Sequence, residues 1–149
     1  MLNRTHLAIT IFLILLLIPL VQFKIVFVLI ALIASLIPDV DISTSAIGKY
    51  KIFRPLQFFV NHRSFFHCLF FMLFVILFFM SFYPAGAFAF FIGYSSHLLA
   101  DSFTIEGVRF FYPLNKKFSG SVKTGGTIET GIFITFVILD IGLLFIRLI

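Results

Sequence analysis

An all-α membrane protein with about five crossing helices is the fold class this sequence predicts. Three observations carry it. The chain is 61% hydrophobic and only 11% charged, with a mean hydropathy of +1.17, against a charged share of about 25% in soluble domains. Its apolar residues fall in long runs broken by short polar stretches. Its 149 residues are the length of one domain, so a single unit spanning residues 1–149 is expected.

The first run, Leu7 to Ile37, is interrupted by Pro19, Gln22 and Lys24. It reads either as one kinked helix or as a hairpin of helices over about 4–20 and 23–37. Each arm of the hairpin is short for a hydrocarbon core of about 30 Å, so flanking residues or local thinning must help. The N-terminus resembles a signal peptide, but Val21-Gln22-Phe23-Lys24 is no cleavage site, and the segment is expected to be retained. Pro38 ends the second helix, because the residue before a proline is pushed out of the α region. A basic loop follows, and Phe53–Val60 reads as a short helix on the membrane surface. The third helix is expected over 64–82, with Ser64 as its cap. Tyr83-Pro84-Ala85-Gly86 is a turn, the fourth helix covers about 85–101, and the last covers 128–149.

The crossing count decides where the polar residues meet. With the hairpin accepted, His6, Asp39, Asp41, His62, His67, His97, Asp101 and Glu129 all fall at one membrane face. With one long first helix, His6 would be stranded on the other side. Nine of the lysines and arginines fall on the same face, and only Lys24 and Arg147 on the opposite one. Cytoplasmic loops collect Lys and Arg. The expected location is therefore the inner (cytoplasmic) membrane, multi-pass, with the N-terminus and the site cytoplasmic. The net charge of +5 is assigned to those loops rather than to nucleic acid.

His97 and Asp101 are four apart, so on a helix they point about 40° from one another and can reach one cation. His62 and His67 are about 140° apart on an ideal helix, and share an ion only if His62 precedes the helix. The lone Cys68 excludes a cysteine-based zinc site. Imidazoles and carboxylates together suit Zn²⁺, Mn²⁺ or Fe²⁺. Zinc is the expected metal, and seven candidate ligands (His6, Asp39, Asp41, His62, His67, His97, Asp101) allow one to two or more ions. Two ions could clamp both oxygens of a phosphoryl displacement. Arg63 could bind a phosphate oxygen. Glu129 could bind metal or accept a proton, or simply be stabilised by the helix dipole as a first-turn acid. An i, i+4 pair such as His97 and Asp101 can also form a plain hydrogen bond, but ligation is the favoured reading. Asp140 lies at membrane depth, where such groups usually face the bundle interior.

Thr5-His6, Pro38-Asp39-Val40-Asp41, His62-Arg63-Ser64-x-x-His67 and Gly93-Tyr94-x-Ser96-His97-x-x-x-Asp101-x-x-Thr104-x-x-Gly107, with Pro113 beyond, form one pattern. It resembles the LexA-regulated, membrane-bound, predicted metal-dependent hydrolase family and, more distantly, the zinc-dependent phospholipase C enzymes. The resemblance spans residue 5 to about 130. It implies a hydrolase acting on a phosphoester or phospholipid at the lipid bilayer; beside it, the residues' own chemistry makes Arg63 and Glu129 the expected catalytic groups. Two positions depart from the family: Phe66 stands where Thr is usual, and Cys68 where Ser or Thr is usual. The alternative from another class is a non-catalytic metal-binding membrane protein that transports or senses a cation.

Overall fold

A computed structural model describes residues 1–43, 45, 47–59 and 65–148. The protein is all helical, and among the described residues no strand exceeds an isolated bridge pair. The helices are α1 (Asn3–Leu17), α2 (Lys24–Ala34), the short α3 (Arg54–Phe59), α4 (Leu69–Phe82), α5 (Pro84–Ser102) and α6 (Thr127–Leu148).

The hairpin alternative is the one adopted. Pro19 has no N–H to give, so α1 stops at Leu17 and tightens into a 3-10 turn over Ile18–Leu20. The chain then reverses and enters α2. That helix stops at Ala34, three residues before the end expected from Pro38, and a separate 3-10 turn, Pro38–Asp41, follows. The third helix also begins late. Phe65–His67 is a 3-10 turn and the α-helix starts at Leu69. Its cap is Cys68, whose Sγ accepts from Phe71 N–H at 3.4 Å. The expected cap, Ser64, lies outside the described residues. Pro84 opens α5 directly after Tyr83, since a missing N–H does no harm in a first turn.

Helix α5 is the centre of the bundle, with α1, α2 and α4 all packed against it. Gly93 makes the α2 contact possible: a Cβ there would stand 2.0 Å from the Ala31 carbonyl oxygen. Phe90, Tyr94 and Leu98 on α5 and Met72 on α4 bury together as the main core, while Ile14, Phe27, Ala31 and Ala89 form a second. Helix α6 lies against α1, with Arg4 stacked over Phe133 and Phe12 edge-on to Phe136. The two run side by side in the same direction.

Among the described residues, two helical stretches are long and apolar enough to cross a membrane, Asn3–Leu20 and Thr127–Arg147; Leu69–Phe82 is apolar but shorter. The expectation of five crossings is thus met in length and composition by two. The shortfall has a simple cause. Eleven residues of α2 rise only about 16 Å, and the last turns of α5 are given over to Ser95, Ser96, His97 and Asp101.

The loop from Phe103 to Gly126 is structured rather than merely polar. It doubles back through bridges Thr104–Val122 and Val108–Phe118. Gly107 turns it with φ +59°, where a Cβ would lie 2.3 Å from the Phe118 carbonyl oxygen.

Candidate metal centre

Three separate segments deliver four ligands to one point. Asp39 comes from the turn after α2, His67 from the turn before α4, and His97 and Asp101 from the end of α5. One ligand atom from each lies within 4.8 Å of the others, and all four residues are buried. This buried Asp/His/His/Asp cluster could hold a metal ion.

Each ligand is held from behind. The Ser45 hydroxyl donates to the Asp39 carbonyl at 2.6 Å, and Gln57 Nε2 donates to the Val40 carbonyl at 3.0 Å. His67 sits between two pinned neighbours. The Tyr94 hydroxyl donates to the Phe66 carbonyl, and Leu69 N–H donates to the Phe110 carbonyl at 2.8 Å. Asp101 is anchored through its own carbonyl, which accepts from the Thr104 hydroxyl at 2.7 Å.

His97 is oriented by the α2–α5 seam. One turn beyond the Gly93–Ala31 contact, His97 Nδ1 lies 2.7 Å from the Ser35 carbonyl oxygen. A carbonyl only accepts, so Nδ1 carries the proton and Nε2 is left with its lone pair. A carbonyl or carboxylate behind a ligating imidazole fixes its tautomer in this way. His97 Nε2 is buried and has no hydrogen-bond partner among the described residues.

The distances suit an ion. His67 Nε2 is 3.6 Å from Asp39 Oδ1 and 3.6 Å from Asp101 Oδ2. His97 Nε2 is 3.6 Å and 3.8 Å from the same two oxygens. A tetrahedral ion with bonds of about 2.1 Å sets neighbouring ligand atoms about 3.4 Å apart. These four His–Asp separations stand within a few tenths of an ångström of that spacing.

Burial alone would raise the Asp39 carboxyl. The hydrogen bond from His67 and the neighbouring His97, His6 and His67 imidazoles outweigh it and hold the group at about 2. Asp39 is therefore an anion at any physiological pH, as a ligand must be.

The remaining expected residues divide. His6 adjoins the group: its Nε2 is 3.3 Å from Asp101 Oδ1, and its ring stacks on His97 at 3.8 Å. The Asp101 carboxylate thus presents Oδ2 to His67 and His97 and Oδ1 to His6, where the Met1 main-chain nitrogen also contacts it. Asp41 is buried in the same turn as Asp39 but is not one of the four clustered ligands. His62 and Arg63 lie outside the described residues. Glu129 is buried and spends both oxygens on backbone, accepting from Leu2 N–H and Gly125 N–H at 2.5 Å each. It ties the start of α1 to the start of α6. Asp140 is buried on α6.

Sequence reasoning missed the supporting groups Ser35, Ser45 and Gln57. The Ser35 contact is made by a backbone carbonyl, which no side-chain pattern announces. The Cys68 departure also has an explanation: the thiol occupies the cap position where a Ser or Thr hydroxyl would serve.

No curated protein and no solved structure matches the chain. The profile of the YdjM inner membrane protein family matches residues 1–147, nearly the whole length, and the chain belongs to that family.

Proposed function

We propose that this protein is a metal-dependent hydrolase of phosphoesters or phospholipids, working at the cytoplasmic face of the inner membrane. The observation that carries the reading is the buried Asp39/His67/His97/Asp101 cluster with His6 alongside. Two imidazoles and two carboxylates are the donor set of zinc and related divalent ions. When bound there, an ion would supply Lewis acidity and a water of lowered pKa.

The chain's own residues would do the rest. Asp39, His67, His97 and Asp101 hold the ion. Ser35 fixes the His97 tautomer through its carbonyl. His6, on the far side of the Asp101 carboxylate, is placed to share a second ion. Asp41 and His62 are assigned as further ligands, Arg63 as the phosphate contact, and Glu129 as a metal ligand or proton acceptor. The five long helices are read as five crossings, α2 and α4 needing a locally thinned bilayer. The distribution of Lys and Arg supports the cytoplasmic orientation.

One observation favours a second reading. All four clustered ligands are buried, and a cation closed in by four protein ligands is typical of sites that bind without chemistry. The second reading is a cation-binding membrane protein with no catalysis.

The experiment has two arms. Metal content per purified chain is measured by mass spectrometry, for the wild type and His97→Ala. Both are then assayed for phosphate or alcohol release from a panel of phosphodiesters, phosphomonoesters and phospholipids. Release by the wild type and none by His97→Ala supports hydrolysis. Tight metal with no release from any ester leaves the second reading. Absence of metal in protein purified without chelator overturns both.

A further inference from the structure

An apolar cavity of about 400 Å³ lies between α1, α5 and α6. Ile9, Leu13, Leu99, Phe103, Ile132 and Phe136 line it. Its one lining hydroxyl, Ser96, is already used internally, bonded to Thr10 Oγ1 at 2.9 Å and to the Gly93 carbonyl at 2.8 Å. Water in such a space would find none of the two to four polar partners it needs.

The position of the cavity argues what fills it. Two of its three walls are the helices long and apolar enough to cross a membrane. Its rim residues Leu99 and Phe103 are exposed, so it opens sideways into the surrounding medium. That medium, for a member of an inner membrane family, is lipid. Met1 and Val122 are among its lining residues, and the main-chain nitrogen of Met1 touches Asp101 of the His/Asp cluster. Ser96 and Ala100 line the cavity, while their sequence neighbours His97 and Asp101 point into the cluster. An apolar slot and a polar centre therefore share one stretch of α5, with Met1 as the partition.

We infer that an acyl chain of a phospholipid from the surrounding leaflet seats between α1, α5 and α6, with its headgroup brought to the His/Asp cluster. This rests on the hydrolase reading for its purpose, and it narrows the substrate from phosphoesters at large to lipids. A soluble phosphoester would leave the slot empty.

The test is photolabelling of the full chain in nanodiscs of phosphatidylglycerol, a fraction of it carrying a diazirine near the acyl terminus. Labelled residues are mapped by peptide mass spectrometry. The expected result is labelling of Leu13, Ile132 and Phe136 about tenfold above Phe74 and Leu77, the ratio that a preference of about 1.4 kcal/mol gives. Phe74 and Leu77 are the fair reference, because they are 70% and 66% exposed on α4. Leu13→Trp should remove the excess with metal content unchanged. Leu99→Trp, at the exposed rim, serves if the first variant fails to fold. A diazirine in the headgroup should label Met1 and Val122. Even labelling of the cavity and α4 overturns the inference, as do chain-to-chain cross-links through Leu13 or Leu99. Headgroup labelling confined to Ile18 and Lys24, at the other end of α1, overturns it too. Because labelling needs no turnover, a tenfold excess without ester cleavage would sink the hydrolase reading and leave the lipid slot standing.

Discussion

The two ends of the bundle are built on opposite plans. At one end Thr5, His6, Asp39, His67, Ser96, His97, Asp101, Thr104 and Glu129 are all buried. At the other, where α1 turns into α2 and α4 into α5, Leu20, Phe23, Ile25 and Phe82 are exposed, Leu20 to 80%. A soluble protein would hide the second set and show the first. Burying polar groups without partners costs several kcal/mol each; Ser96 and Glu129 at the polar end are bonded to a hydroxyl and to backbone, whereas His97 Nε2 has no hydrogen-bond partner among the described residues. The apolar end leaves large apolar side chains exposed, as suits a member of an inner membrane protein family. The difference teaches where sequence change is tolerated: at the turn end by composition alone, at the cluster end only by geometry.

The sharpest way to break the contrast is to delete a ligand. Asp101→Ala should lower metal affinity by more than the roughly 10- to 100-fold that a lost supporting bond costs, read as metal retained after dialysis. Acid should act in the same direction. The imidazoles of His67 and His97 must be unprotonated to bind, whereas Asp39, held at about 2, stays ionised. Affinity should therefore fall towards acid pH, where protons compete with the metal for those ring nitrogens. Metal titration across pH 5 to 8 checks it; a flat profile would remove both imidazoles from the site.

Packing gives the next effect. Gly93→Ala drives a methyl group into the Ala31 carbonyl. It should cost about 1–3 kcal/mol of stability and weaken metal binding by shifting His97 off Ser35. Gly142→Ala, with nothing within 4 Å of the new methyl, should be neutral or stabilise by up to about 1 kcal/mol. Thermal unfolding of the two variants in detergent compares them. Cys68→Ala should lose about 0.5–2 kcal/mol with the cap, while Cys68→Ser should keep it. Smallest of all, Phe23→Ser at the turn end should alter stability by about 0.5 kcal/mol or less and leave metal content untouched.

Much of this contrast was legible in the chain itself. Runs of apolar residues announced helices, and Pro19 and Pro84 marked two of the turns. The i, i+4 spacing of His97 and Asp101 pointed both at one centre. Boundaries were harder: α2 ends at Ala34, ahead of the stop that Pro38 announces. Helix length in a membrane was also over-read: apolar composition does not say that 11 residues of α2 reach across. Glu129 shows the limit most clearly. Its position at the face of the cluster was readable, but its engagement with Leu2 and Gly125 amides depends on how α1 and α6 meet.

Asp101 is touched by His6, 95 positions earlier, and by His67, 34 positions earlier. No nascent fragment that stops short of α5 holds the cluster, however well its first helices have entered the bilayer. Contacts so distant along the chain form late, and a cation that grips only the finished arrangement would lock it by mass action. Ion capture would then mark completed assembly, so a cell starved of the metal should accumulate inserted but protease-sensitive chains.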